Sequence, residues 1–178
     1  MGNRLKIRSL VVAILAAALI PVFQGPAQAA DGHTVAEQQL FDMINWGRRS
    51  RGISAFKAHK VILRLERGHA WSMVRRGSMD HAGFSWRKRQ IIRSDGGIRA
   101  APSHLTCENV AYSGGDRTTA MRQIYRAWVQ SWVHNRCMFK NLRSSADVAV
   151  VFGGGVWRAA FVLAPDVNPG CNANDPCG

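Results

Sequence analysis

Thr106-Cys107-Glu108-Asn109-Val110-Ala111-Tyr112-Ser113-Gly114-Gly115 sets a carboxylate among residues that expect burial. Cys107, Val110, Ala111 and Tyr112 suit a short strand or extended segment, and Glu108 interrupts them. A carboxylate withdrawn from water is costly unless a cation or a hydrogen-bond donor meets it. The stretch therefore demands a partner from elsewhere in the chain.

On the C-terminal side, Met121, Ile124, Tyr125, Trp128, Val129, Trp132 and Val133 recur at the spacing of one helical face. Trp128 and Trp132 read as core. Val148–Phe152 and Val156–Leu163 then read as two strands joined at Gly153-Gly154-Gly155. On the N-terminal side, Thr34-Val35-Ala36-Glu37 is a capping box, followed by Leu40, Phe41, Met43 and Ile44 at helical spacing and by Gly52 as a stop. A second helix is expected over 60–76, with Ile62, Leu65, His69 and Met73 on one side and Gly77 as terminator. Residues 78–104 show no sustained period and read as a long irregular segment. Helices and strands mixed in this order, without repeats or linkers, imply one α/β or α+β domain.

The first thirty residues read as a leader. Arg4, Lys6 and Arg8 precede an apolar run from Leu10 to Ile20, and Ala27-Gln28-Ala29 supplies small residues for cleavage. The expected organisation is a signal peptide over 1–29, a domain over 30–164 and a tail over 165–178. The expected location is outside the cell, secreted or held at the wall, with no transmembrane segment in the mature chain. The 178-residue chain carries 24 Lys and Arg against 11 Asp and Glu. With the leader's three basic residues removed, 21 remain against 11, a net charge of +10. That balance favours acidic partners without specifying a fold. The tightest basic cluster, Arg87-Lys88-Arg89, is the candidate basic face.

In an exported chain, four cysteines imply two disulfides. Four thiols allow three pairings. Cys171 and Cys177 bracket a short tail loop, which leaves Cys107 for Cys137. That bridge would hold Glu108 within a few residues of His134, since bridged α-carbons lie within about 7 Å. A His134–Glu108 pair would meet the stranded carboxylate, with His81 across the same cleft. An ionised Glu108 would then raise the pKa of the histidine it contacts.

These residues resemble a known superfamily. Ile44-Asn45-x-x-Arg48 with Gly52, then His69-Ala70, Met73, Gly77 and His81, is similar to the opening of a CAP (SCP) domain, named for cysteine-rich secretory, antigen 5 and pathogenesis-related 1 proteins. Glu108-Asn109-Val110-Ala111 resembles its Glu-Asn-(Ile/Val)-Ala motif, and Trp128-x-x-Ser131-x-x-His134 with Asn141-Leu142 its second-histidine signature. The resemblance covers roughly 37–163. It implies an α-β-α sandwich with a cleft lined by two histidines and two acidic residues, of which His81, Glu108 and His134 match three. The second acid is missing, because residues 82–93 contain none. Cys107 and Val133 also stand where the pattern favours glycine.

Two functions follow. The leading one is a binding module of the bacterial-type branch, taking a lipid, a cell-surface polymer or a protein partner through the cleft and the basic face. The alternative is a hydrolase using His81, Glu108 and His134 as acid, base and orienting group, with or without a weakly held zinc or other divalent metal. No nucleophile elbow surrounds Ser131. Nucleic acid ranks last, since the tryptophans do not interleave with basic residues as a stacking platform requires.

Overall fold

The computed structural model describes residues 32–94, 106–142 and 144–165. The expected leader and the Cys171–Cys177 bridge lie outside these residues. The elements run α1 (Val35–Arg49), α2 (Lys60–Arg76), α3 (Phe84–Ser94), β1 (Cys107–Ser113), α4 (Arg117–Gln130), α5 (Trp132–Met138), β2 (Ser144–Gly153) and β3 (Val156–Pro165).

The helix punctuation acts as the residue types dictate. Thr34 Oγ1 accepts from the Glu37 amide at 3.3 Å while Glu37 Oε2 accepts from the Thr34 amide at 2.7 Å, so α1 starts with a complete capping box. Gly77 ends α2 in the left-handed region at φ 62°, which a residue with a β-carbon adopts reluctantly. Gly154 and Gly155, at φ 60° and 77°, form the two-residue turn between β2 and β3.

The three strands form one antiparallel sheet in the order β1-β3-β2. The central strand is covered on both faces, which explains the unbroken buried run Ala159–Leu163. On one face Ala111, Val148, Val150, Ala159, Phe161 and Leu163 pack with Leu40 and Ile44 of α1 and Ile124 and Trp128 of α4. On the other, Val110, Val151 and Ala160 meet Ala70 and Met73 of α2, and Val162 meets Ile62 and Ile91 of α2 and α3. The result is an α-β-α sandwich. Among the described residues no helix is long and apolar enough to cross a membrane.

Asn45 and Arg48, conspicuous in the sequence, are architectural. Asn45 receives the Phe56 amide at 2.8 Å. Arg48 donates to the carbonyls of Ser54 at 2.7 Å, Met138 at 2.7 Å and Lys140 at 3.0 Å, and its guanidinium lies over the Phe56 ring. One buried arginine thus ties the connection after α1 to the end of α5. Burial lowers its pKa to about 10.

Three expectations change. Residues 84–94 are helical, because Phe84, Arg87 and Ile91 form an inward stripe whose middle member is charged. The long helix breaks at Ser131, whose ψ of 118° is extended, so α5 starts in a new direction. Trp128 remains core at 1 % exposure while Trp132, expected beside it, is 69 % exposed.

Candidate functional site

The site gathers at the β1 edge of the sheet, where four separate segments contribute. β1 carries Glu108, α2 carries Glu66 and His69, α3 carries Arg87, and the loop after α2 carries His81. Disulfide Cys107–Cys137, with α-carbons 5.9 Å apart, fastens α5 and His134 beside β1. Asn109 Nδ2 adds a second fastening by donating to the His134 carbonyl at 3.0 Å.

Glu108 is buried, and both its oxygens are engaged. His81 Nδ1 donates to Oε2 at 2.6 Å, and the Arg87 guanidinium donates to Oε1. Among the described residues no hydrogen bond or ion pair joins Glu108 to the His134 side chain. The expected His134–Glu108 pair is therefore replaced by His81 and Arg87. The tether was sound, but it brings the backbone of α5 to β1 and leaves the His134 ring outside the carboxylate's reach.

Arg87 is the residue that sequence reasoning misplaced. It is not on a basic face: only 5 % exposed, it points inward from α3, while Arg89 is exposed and Lys88 half-buried. Its Nε donates to Glu66 Oε1 at 3.0 Å and its Nη1 to the Ala82 carbonyl at 2.6 Å. The guanidinium fork thus holds two carboxylates and one carbonyl. The available signal was the spacing of Phe84, Arg87 and Ile91, with a charge where an apolar residue is the rule.

Two carboxylates share one arginine, and they do not share it equally. Burial, and then the charge of Glu108, push the Glu66 carboxyl well above its usual range against the opposing pull of Arg87. The protonated form of Glu66 is thereby favoured beside the Arg87–Glu108 contact. His69 lies behind the pair, 4.0 Å from Glu108 Oε1, with Nε2 donating to the Asp80 carbonyl at 2.8 Å. Burial, followed by the charge of Arg87, lowers its pKa and favours the neutral ring.

The loop presenting His81 is built by Asp80. Its carboxylate accepts from Ser78 Oγ at 2.7 Å, from the Ala82 amide at 2.9 Å and from Arg76 at 3.0 Å, which holds its pKa well below the usual carboxylate range. His81 itself is about half exposed, with Nδ1 spent on Glu108 and Nε2 left toward solvent. His134 stands near enough to feel it. Partial burial, then the charge of His81, lowers the His134 pKa, opposite to the increase expected from a glutamate partner. The site therefore presents an exposed imidazole oriented by a buried carboxylate, with a second imidazole beside it.

A divalent metal held by His81, Glu108 and His134 does not fit this arrangement. A permanently charged guanidinium already rests on one oxygen of Glu108 and His81 Nδ1 on the other. Among the described residues no three His, Cys, Asp or Glu side chains converge as metal ligands.

No protein-family model matches the sequence, and neither does any curated protein. Solved structures do resemble the fold. An outer surface protein of Borrelia burgdorferi superposes with a TM-score of 0.53 at 12 % identity, over 72 % of this chain and 92 % of that one. A cysteine-rich secretory protein from Staphylococcus aureus reaches 0.49 at 12 % identity over 72 % of this chain and 38 % of its own. An extracellular SCP-domain protein from Bacillus anthracis reaches 0.48 at 16 % identity over 71 % and 40 %. At such identities likeness speaks for the fold alone. The superposition on the Borrelia protein supports a shared fold, and the resemblance to a CAP, or SCP, domain rests on the sequence motifs that this sandwich places side by side at Glu108 and His134.

Proposed function

We propose that the protein is a secreted binding module whose histidine cleft takes an anionic group of a cell-surface polymer or lipid. The observation that carries this is the occupation of Glu108: both its oxygens are spent inside the protein, on Arg87 and His81. Its role is then to hold His81 outward beside His134 rather than to act on a substrate. His134, whose pKa is lowered by partial burial and then by the charge of His81, is favoured in its protonated form when an anion sits beside it. The exposed Arg89 and Arg93 add positive charge on α3, and the leader and the outer-surface description of the similar Borrelia protein support export.

Co-sedimentation with phosphatidylglycerol vesicles and with a polyanionic wall polymer tests this. Binding should strengthen below about pH 6.5 and fall with salt. His81→Gln with His134→Gln should remove the pH dependence, and Arg89→Ser should weaken binding at low salt. Binding that is indifferent to pH, or equally tight to neutral phosphatidylcholine, rejects the reading.

One observation favours hydrolysis as a second reading. A carboxylate-oriented imidazole with an outward Nε2 is also the arrangement of a general base. His81 would then abstract a proton from water, with Glu108 as its positioning partner and His134 as the acid. Turnover of carboxylic or phosphoric ester substrates that disappears in His81→Gln would select this reading over the first.

A further inference from the structure

At the opposite edge of the sheet a groove of about 660 Å³ runs between the start of α1, α2 and the β2–β3 turn. Its walls include Val35, Trp71, Val151, Phe152 and Trp157. Val35, Trp71 and Phe152 are solvent-exposed, and the Phe152 and Trp157 rings meet at a tilt of 49° with centroids 4.9 Å apart. Exposed apolar side chains gathered in one concavity, rather than scattered, mark a surface that something covers. The volume lies within the range of small-ligand sites, about 300–1,000 Å³.

The charges in the groove indicate which ligand fits. Glu37 is buried and already neutralised: Arg67 Nε donates to Oε1 at 2.7 Å, and the Val150 amide donates to the same oxygen at 3.3 Å. Arg117, exposed at the start of α4, lines the groove without a partner among the described residues. The groove thus combines one uncompensated positive charge with aromatic walls.

The backbone adds a donor. β2 is the edge strand, and its outward amides are covered in turn: Ala146 by the Lys57 carbonyl at 3.2 Å, Val148 by Asp147 Oδ1 at 2.8 Å and Val150 by Glu37. In the two-residue alternation of a strand the next outward amide belongs to Phe152, which lines the groove and has no hydrogen-bond partner among the described residues. An unpaired amide and an unpaired guanidinium on the walls of one groove suit an anion.

From these features we infer that the groove is a binding site for a single-chain anionic amphiphile, an acyl carboxylate, with its chain on Trp71, Phe152 and Trp157 and its carboxylate toward Arg117. The site lies at the β2 edge, the histidine cleft at the β1 edge, so it stands independently of the cleft reading.

Titration calorimetry of the purified protein with decanoate, dodecanoate and tetradecanoate tests the inference, with dodecyltrimethylammonium as the cationic counterpart. Affinity should rise about two- to fourfold per methylene. Arg117→Gln should weaken dodecanoate roughly tenfold or more and leave the cationic amphiphile unaffected. Trp71→Ser should weaken every chain length. Both side chains are exposed, so an unchanged unfolding midpoint confirms that the variants remain folded. The inference is overturned by equal affinity for the cationic amphiphile, or by wild-type affinity in both variants. Loss of dodecanoate binding in His81→Gln also overturns it, because the chain would then occupy the histidine cleft. A valine-rich hexapeptide that binds here while acyl chains do not would overturn it as well, and would assign the open Phe152 amide to strand pairing.

Discussion

Two buried glutamates each rest on an arginine, at opposite edges of the same sheet, and their surroundings differ. Glu37 lies under Arg67, whose side chain keeps 30 % of its surface in solvent, and its remaining contacts are backbone amides at the start of α1 and on β2. Glu108 lies under Arg87, which is nearly sealed and shared with a second acid, and its other oxygen holds an exposed histidine. The first pair closes a capping box and joins a helix to a strand. The second ends in an imidazole facing solvent. An Arg–Glu pair by itself therefore says little about function; the third group on the carboxylate is what differs.

The sharpest test of that difference is to remove each arginine. Arg87→Ala strands Glu66 and Glu108 in the interior and should cost about 3–5 kcal/mol in urea unfolding. Arg67→Ala should cost less, about 1–3 kcal/mol, because water can replace a half-exposed guanidinium. Equal losses would break the comparison.

Reducing the disulfide, or Cys107→Ser with Cys137→Ser, should cost about 3 kcal/mol, since it frees a loop of 30 residues in sequence separation. It should also release His134 from the cleft, visible as a His134 NMR shift moving toward its denatured position, while the Glu37 region keeps its hydrogen-exchange protection.

Proton linkage offers a third test, with opposite signs at two residues. Glu66 is raised above 4.5 in the folded protein, so its contribution is complete below about pH 4.5 and is lost as pH rises through the folded pKa. His134 is lowered below 6.5, so its contribution is complete above about pH 6.5 and is lost as pH falls toward the folded value. Glu66→Gln should abolish the first slope and His134→Gln the second in denaturation followed across pH. A stability profile that Glu66→Gln leaves unchanged would mean that the acid is ionised in the fold.

The smallest effect separates the partners of His134. NMR titration of His81→Gln should move the His134 pKa upward, through loss of a neighbouring positive charge, while the larger lowering from burial remains. A larger response to Glu108→Gln than to His81→Gln would restore the glutamate as its partner.

The sequence by itself determined the local features. The capping box at Thr34, the glycine stop at Gly77, a hairpin turn within Gly153-Gly154-Gly155 and the Cys107–Cys137 bridge were all legible, because each depends on residues adjacent in the chain or on covalent bonding. It also identified Glu108 as a carboxylate in need of a partner. Only the tertiary structure decided which partner. Arg87 looked like one member of a solvated basic run, and α3 was invisible, because its inward stripe is completed by a guanidinium that no hydrophobic period registers. Ser131 turns the chain away from the α4 axis and carries Trp132 out of the core, a change of direction that continuous spacing cannot reveal. The physical reason is the same in each case. Helix caps and turns are settled by interactions within a few residues, whereas a buried charge is settled by whichever segments, 21 and 27 residues away in this chain, the packed sheet brings against it.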